Sequence, residues 1–296
     1  MKMKLAAFLS AAALSALALS TANAGPTLDR IKANKTISLG YREASIPFSY
    51  LGADQKPIGF SLDLCASLVK RLEADLGEKI TVNLVPVNSS NRIPLIQNGT
   101  IDIECGGTSS SKKRLEQVTF SVSTFASQPA WLTMAASGLK SAADMKGKTV
   151  VVTQGSNAVG IAQAISQKDG LGLNVVQAKD HAESFLMLTS GRAAAFMEDD
   201  ILLAGLKAQY ADPAKLAFLS DQYPKTYYGL MFSKDDPEFK KTVDDVLAKL
   251  MASGEFTTAY DKWFVSPIPP KDMNLNFPMN DALKERVAKP SDVVDY

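Results

Sequence analysis

The chain has 296 residues, with 32 Lys+Arg against 31 Asp+Glu, one His and two Cys. So even a balance argues against nucleic acid or an anionic membrane surface as partner, and any electrostatic function must come from local placement of charge. A single His and two Cys give no cluster with zinc spacing, and a 46% hydrophobic content suits one or two well-packed domains.

The first stretch reads as an export signal. Lys2 and Lys4 precede an apolar run from Leu5 to about Leu19, which reaches Ala22-Asn23-Ala24 before Gly25. This is the pattern of a secretory signal peptide spanning 1–24 and cleaved after Ala24. The run is short for a membrane span, and no Cys at the cleavage point suggests a lipid anchor. Without Lys2 and Lys4 the balance becomes 30 Lys+Arg against 31 Asp+Glu, still near neutral. The part from Gly25 onward is expected to be soluble and exported.

Strands and helices then alternate. Thr36 to Gly40 predicts a strand, and Leu62, Leu64, Leu68, Val69, Leu72 and Leu76 recur at helical spacing. Ile80 to Val87 alternates as a strand, Arg92 to Gln97 predicts a short helix ended by Asn98-Gly99, and Ile101 to Gly106 a strand. This βαβαβ order implies a mostly parallel sheet covered by helices. A second unit repeats the scheme: strand Thr149 to Thr153, helix from Gly155-Ser156-Asn157 to about Gln167, strand Leu173 to Ala178, helix Ser184 to Ser190, strand Ala193 to Met197, helix Ile201 to Ala208, strand Lys215 to Leu219. Tyr228 to Phe232 reads as a return strand, Asp236 to Leu250 and Glu255 to Phe264 as amphipathic helices, and the Pro-rich tail after Val265 as a surface wrap. Two units suggest two lobes, with crossings near Ser123–Pro129 and Gln222–Tyr227 acting as a hinge beside a ligand cleft. The expected division is 25–126 for the first lobe, 127–224 for the second, and 225–296 for the return to the first lobe and the tail.

Ligands of parallel α/β sheets bind beyond the carboxyl ends of strands, and polar residues collect there. Arg42 follows the first strand; taken alone it also fits a surface ion pair. Ser89-Ser90-Asn91-Arg92 follows a strand and opens a helix, so Ser89 or Ser90 is a candidate cap and the helix start is suited to an anion. In Glu104 to Arg114, paired glycines permit close backbone approach, and Thr108, Ser109 and Arg114 are candidates to hold a carboxylate, Arg bidentately. Ser156 and Asn157 open a helix after another strand, but the glycine spacing and Lys-Ser/Thr pair of a phosphate loop are missing. His181 follows a further strand. Asp199 and Asp200 end one, and either accept an ammonium or cap the next helix. Three arginines and a His facing two carboxylates, with an Asp facing an ammonium, form the charge set of a dicarboxylic amino acid. Cys65 and Cys105 are either a disulfide, which export permits, or two buried thiols.

The sequence also resembles the periplasmic glutamate/aspartate-binding proteins of bacterial ABC importers. The likeness is carried by Gly40-Tyr41-Arg42-Glu43 through Pro47-Phe48-Ser49-Tyr50, Asn91-Arg92-Ile93-Pro94-Leu95, Gln97-Asn98-Gly99-Thr100 through Glu104-Cys105-Gly106, Ala178-Lys179-Asp180-His181, Ser190-Gly191-Arg192-Ala193, Ala195-Phe196-Met197, Asp199-Asp200, and Asp261-Lys262-Trp263-Phe264 with Pro267-Ile268-Pro269-Pro270. It implies a two-lobed, periplasmic-binding-protein-like type II fold, each lobe a mostly parallel sheet flanked by helices, with a two-strand hinge. It implies a monomer that binds L-glutamate or L-aspartate without a cofactor and delivers it to a membrane permease. By resemblance, Arg114 clamps the α-carboxylate with Ser109 and the helix start at Ser156 and Asn157; Asp199 accepts the α-ammonium; Arg42, Ser89, Arg92 and His181 surround the side-chain carboxylate. Gly107 stands where a Ser is usual, so a contact is lost or taken over by Thr108 or a water, and Asn157 stands where a Thr is common. Tyr228-Gly229-Leu230 lacks a Cys found in some relatives, which leaves any inherited disulfide open.

An enzyme is the competing reading, because this fold also hosts dehydratases. His181, Glu43 or Glu104 would be the acid or base, yet no nucleophile–base–orienter set is visible, so no enzymatic activity is expected.

Overall fold

The computed structural model describes residues 25–294; the expected signal peptide, 1–24, lies outside them. Two five-stranded sheets are built on the same plan. In the first, Thr81–Pro86, Thr36–Tyr41 and Ile103–Glu104 run parallel, Met231–Phe232 is antiparallel, and Thr119–Phe120 closes the edge. In the second, Asn174–Ala178, Thr149–Thr153 and Ala195–Asp199 run parallel, Pro129–Met134 is antiparallel, and Leu216–Phe218 closes the edge. Because each antiparallel strand pairs with antiparallel neighbours on both sides, the other four strands of each sheet share one direction. Both sheets therefore present several strand C-termini at one end, where ligands of such sheets bind.

Each antiparallel strand enters its sheet just after the chain has crossed between lobes. The crossings are Phe125–Ser127 and Thr226–Tyr228, which pair antiparallel. Met231–Phe232 returns the chain to the first sheet, so the reading of Tyr228 to Phe232 as one strand is corrected to two short strands broken at Gly229-Leu230. Gly229 is needed at the break: a Cβ there would sit 2.9 Å from the Ser121 carbonyl oxygen.

Most other expected elements are present with shifted ends. The first long helix starts at Phe60 and runs to Leu76, and the helix His181–Thr189 starts three residues earlier than read, where the Asp180 side chain accepts from the Glu183 amide as an N-cap. The strand read as Ile101 to Gly106 is only Ile103–Glu104, since the Gly-Gly that follows leaves the sheet to form the site. Helices Pro26–Asn34 and Asp281–Ala288 had no strong apolar period and were not expected. The second lies within the tail after Val265, which crosses back over the hinge: the Asn280 amide donates to the Ala126 carbonyl, the Ser123 amide to the Ser291 carbonyl, and Arg286 stacks on Tyr227 at 4.2 Å.

The main core lies behind the hinge. Phe48 packs against Phe125, Tyr228 and Phe264 with ring centroids 5.0, 5.0 and 5.5 Å away. Ring contacts of this kind contribute beyond burial alone, and they tie the loop after Arg42 to the crossing strands. Cys65 on the long helix and Cys105 on the strand side are joined in a disulfide, which resolves the open alternative. Among the described residues no helix is long and apolar enough to cross a membrane, and no group of His, Cys, Asp and Glu is arranged to hold a metal ion.

Candidate functional site: a charged cleft between the lobes

The strand ends of both sheets meet across one cleft, and the sequence-predicted residues gather in it. From the first lobe come Arg42, Ser89, Arg92, Thr108, Ser109 and Arg114, all buried. The second contributes Ser156, Asn157, His181 and Asp199, half-buried or buried.

Arg42 leaves the end of Thr36–Tyr41, and its backbone N–H donates to Ser49 Oγ at 2.8 Å. Its Nη2 donates to Ser89 Oγ at 3.1 Å, while Nη1 is buried without a hydrogen-bond partner. Ser89 thus faces the arginine. Neither it nor Ser90 caps the following helix, whose N-cap position is Asn91; this corrects the capping expectation. Asn88 and Asn91 do the local work, Asn88 Oδ1 accepting from the Ser90 and Asn91 amides and Asn91 Oδ1 from the Asn88 amide. Arg92 opens that helix pointing inward: Nη1 donates to Thr108 Oγ1 and lies 3.8 Å from Glu104 Oε1, and Nε has no partner. Thr108 Oγ1 in turn donates to Glu104 Oε2 at 2.7 Å.

Arg114 spans the cleft. Its Nη1 donates to the Ser109 carbonyl at 2.6 Å and Oγ at 3.1 Å, and Nη2 to the Gly155 carbonyl of the second lobe at 3.1 Å. Asn157 Nδ2 reaches back to Ser109 Oγ at 3.0 Å. The lobes are in direct contact here, and Gly155 is the close-approach point. It has φ +77°, and a Cβ on it would lie 2.6 Å from the Ser89 carbonyl oxygen. Gly107, the departure noted in the sequence, faces the aromatic cluster: a Cβ there would be 2.9 Å from the Phe48 ring, so a side chain would have to displace it.

On the opposite wall His181 Nδ1 lies 2.8 Å from Thr153 Oγ1 and 3.6 Å from Glu198 Oε2. Asp199 Oδ2 accepts from the Tyr228 hydroxyl at 2.5 Å, and its side chain makes no cap bond to the next helix. Asp200 turns away and accepts from Ser127 Oγ. The choice between ammonium acceptor and cap is thereby narrowed to Asp199 in the cleft and Asp200 at the hinge.

The charges are placed at an energetic cost. Burial, then the neighbouring Arg92, lowers Arg42 to about 10 and Arg114 to about 9. Burial, then Arg42 and Arg92, holds His181 well below its ordinary value, so the imidazole is neutral. Burial, then Glu198, pushes Asp199 up to about 7, against the pull of the Tyr228 hydroxyl. Three guanidiniums buried side by side favour an anion among them. Arg42 Nη1, Arg92 Nε, Glu104 Oε1, Ser156 Oγ and Glu198 Oε2 are all buried without hydrogen-bond partners in this one region; buried polar groups in native proteins are normally paired. At the rim a cavity of about 250 Å³ is lined by Arg42, Glu43, Asn88, Asn91, Lys179 and Asp180. A larger groove lined by Met251, Met279 and Val287 lies away from the strand ends and carries none of the cleft arginines.

Glu198, Tyr228 and Thr153 belong to the site and were not anticipated. The pair Glu198-Asp199 closing a buried strand was a usable signal, since acids rarely end a strand that is buried throughout. Tyr228 and Thr153 gave no sequence signal distinct from core residues.

A two-lobed α/β protein with a charged cleft at its strand ends, crossed by a two-strand hinge, is a solute-binding protein. The chain belongs to the bacterial extracellular solute-binding proteins, family 3, whose pattern matches residues 37–266. It is 46% identical over 270 residues, 90% of this chain and 89% of the relative, to the L-glutamate/L-aspartate-binding protein of Pseudomonas aeruginosa. It is 41% identical over 270 residues, 91% of this chain and 89% of the relative, to the glutamate/aspartate import solute-binding protein of Escherichia coli K12. Among solved structures it is similar to a mutant of ArgBP from T. maritima, with a TM-score of 0.71 at 25% identity, covering 80% of this chain and 98% of that one.

Proposed function

We propose that this chain is the periplasmic substrate-binding component of a bacterial ABC importer, a monomer that captures L-glutamate or L-aspartate between its lobes and delivers it to the membrane permease. The observation that carries this reading is the set of unpartnered buried polar atoms around three guanidiniums in one cleft. The donors among them, Arg42 Nη1, Arg92 Nε and Ser156 Oγ, are matched by the carboxylates of a dicarboxylic amino acid. Arg114, Ser109, Ser156 and Asn157 take the α-carboxylate; Asp199, oriented by Tyr228, takes the ammonium; Arg42, Ser89, Arg92 and the neutral His181 surround the side-chain carboxylate, with Thr108 holding Arg92. The proposed division is 25–126 and 225–296 for one lobe and 127–224 for the other. A ligand touching both lobes stabilises the closed state over the open one, which is what differential binding requires.

No chemical step is assigned. Glu104 accepts from Thr108 beside Arg92, and the hydroxyl beside His181 is that of Thr153, buried at the end of its strand and bonded to Ser184. The test is mass spectrometry of the small molecule released on denaturing freshly purified protein. Glutamate or aspartate in near-stoichiometric amount is expected; a basic or apolar amino acid at that level overturns the proposal.

A further inference from the structure

Glu198 has no part in the ligand scheme above, yet it sits inside the cleft. Its side chain is almost wholly buried, Oε1 accepts weakly from the Asp199 amide at 3.3 Å, and Oε2 has no hydrogen-bond partner. Oε2 lies 3.6 Å from His181 Nδ1, on the wall proposed to receive the ligand's side-chain carboxylate.

The charges facing this group can be counted. The first lobe presents Arg42, Arg92, Arg114 and Glu104. The second presents Glu198 itself, Asp199 and the imidazole of His181, with Asp180 and Asp200 further out. The hinge adds the Tyr228 hydroxyl. With every carboxyl ionised, three guanidiniums face three carboxylates. An amino acid with a net charge of −1 would then leave an uncompensated negative charge out of water, which is costly. One proton restores neutrality. Asp199 is a poor place for it, because Tyr228 donates to that carboxylate and the ligand ammonium needs it ionised. His181 is another poor place, because Arg42 and Arg92 face it and Thr153 already occupies Nδ1.

We infer that Glu198 enters the closed, liganded cleft as a neutral carboxylic acid, donating a hydrogen bond to the bound side-chain carboxylate, so that capture of an acidic amino acid takes up about one proton from solvent. The inference rests on the proposed ligand class. Burial favours the same form, raising the Glu198 carboxyl above its ordinary range against the pull of the Ser156 hydroxyl, the Asp199 amide, Arg92 and Arg114. When the cleft is open and wet, Glu198 is an ordinary ionised carboxylate. The affinity it adds is therefore fully present at a pH below its open-state value and is lost as pH rises through its closed-state value. In that window one proton corresponds to a tenfold loss of affinity per pH unit.

The test is calorimetry of glutamate binding to ligand-stripped protein at pH 7, in buffers of widely different ionisation enthalpy. Their slope gives the number of protons exchanged. About one proton taken up is expected for the unaltered protein, and near zero for Glu198→Gln, whose amide copies the neutral acid. Glu198→Gln is also expected to lose the decline of glutamate affinity toward pH 8. Binding with no proton uptake, or an uptake unchanged in Glu198→Gln, overturns the inference and leaves the ligand assignment standing. Absence of any binding of glutamate and aspartate overturns both.

Discussion

Replacing Arg114 by Ala is expected to abolish useful binding of every amino acid, acidic or neutral. The guanidinium is buried, binds the Ser109 carbonyl and hydroxyl on its own lobe, and reaches the Gly155 carbonyl on the other. All amino-acid ligands share the α-carboxylate proposed to sit there. Removing one partner of a buried charge pair costs about 2–5 kcal/mol, which raises the dissociation constant by about 30-fold to several thousandfold. The folded, unliganded protein should suffer much less. Arg114 is lowered to about 9 by burial, so its own desolvation offsets part of what its hydrogen bonds contribute. Calorimetry with glutamate, aspartate and glutamine measures the loss, and thermal melting of stripped protein checks that the fold persists. Arg114→Lys should fall between, keeping the charge without the planar fork. A dissociation constant within threefold of the parent for Arg114→Ala would refute the assignment of the α-carboxylate to this side chain.

Arg92→Ala should act differently, narrowing the gap between glutamate and glutamine by roughly 1–3 kcal/mol while neutral amino acids are little affected; equal losses for both ligands in competition calorimetry would contradict its role at the side-chain end. Gly155→Ala should weaken binding at least about tenfold, or 1.4 kcal/mol. The new methyl meets the Ser89 carbonyl oxygen at 2.6 Å when the lobes are together, and φ is +77°. Unchanged affinity would mean that these surfaces do not meet in the bound state. Replacing Cys65 and Cys105 together by Ser opens a loop of 40 residues, worth about 4 kcal/mol by loop entropy. A denaturant titration should show a loss of about 2–4 kcal/mol, and no loss would remove the disulfide from the account of stability.

The architecture was legible because its signals are periodic. Helical spacing in Leu62 to Leu76 and the buried run Thr149 to Thr153 follow directly from one-sided and two-sided burial. The strand Pro129–Met134 was missed: the expected crossing ended at Pro129, and no strand was read after it. The helix at His181 began earlier than expected because its start is set by the Asp180 cap and not by apolar spacing. At the site, Arg42, Arg92 and Arg114 were visible as cations at strand ends. What sequence spacing could not give was the pairing across lobes, such as Arg114 to Gly155 or Asn157 to Ser109, since these residues are 41 and 48 positions apart. Nor could it distinguish Asp199 in the cleft from Asp200 at the hinge, because one step along the chain turns the side chain to the other face.

The central claim is that buried guanidiniums from one lobe hold the two carboxylates of one guest while Asp199 from the other holds its ammonium. Calorimetric titration of stripped protein with glutamate and then with glutamine tests it most directly, since the two differ only in that terminal charge. Glutamate is expected to bind at least about tenfold tighter, a gap of 1.4 kcal/mol or more, because the amide leaves a buried arginine without its anion. Equal affinity for the two, or tighter binding of glutamine, would contradict it.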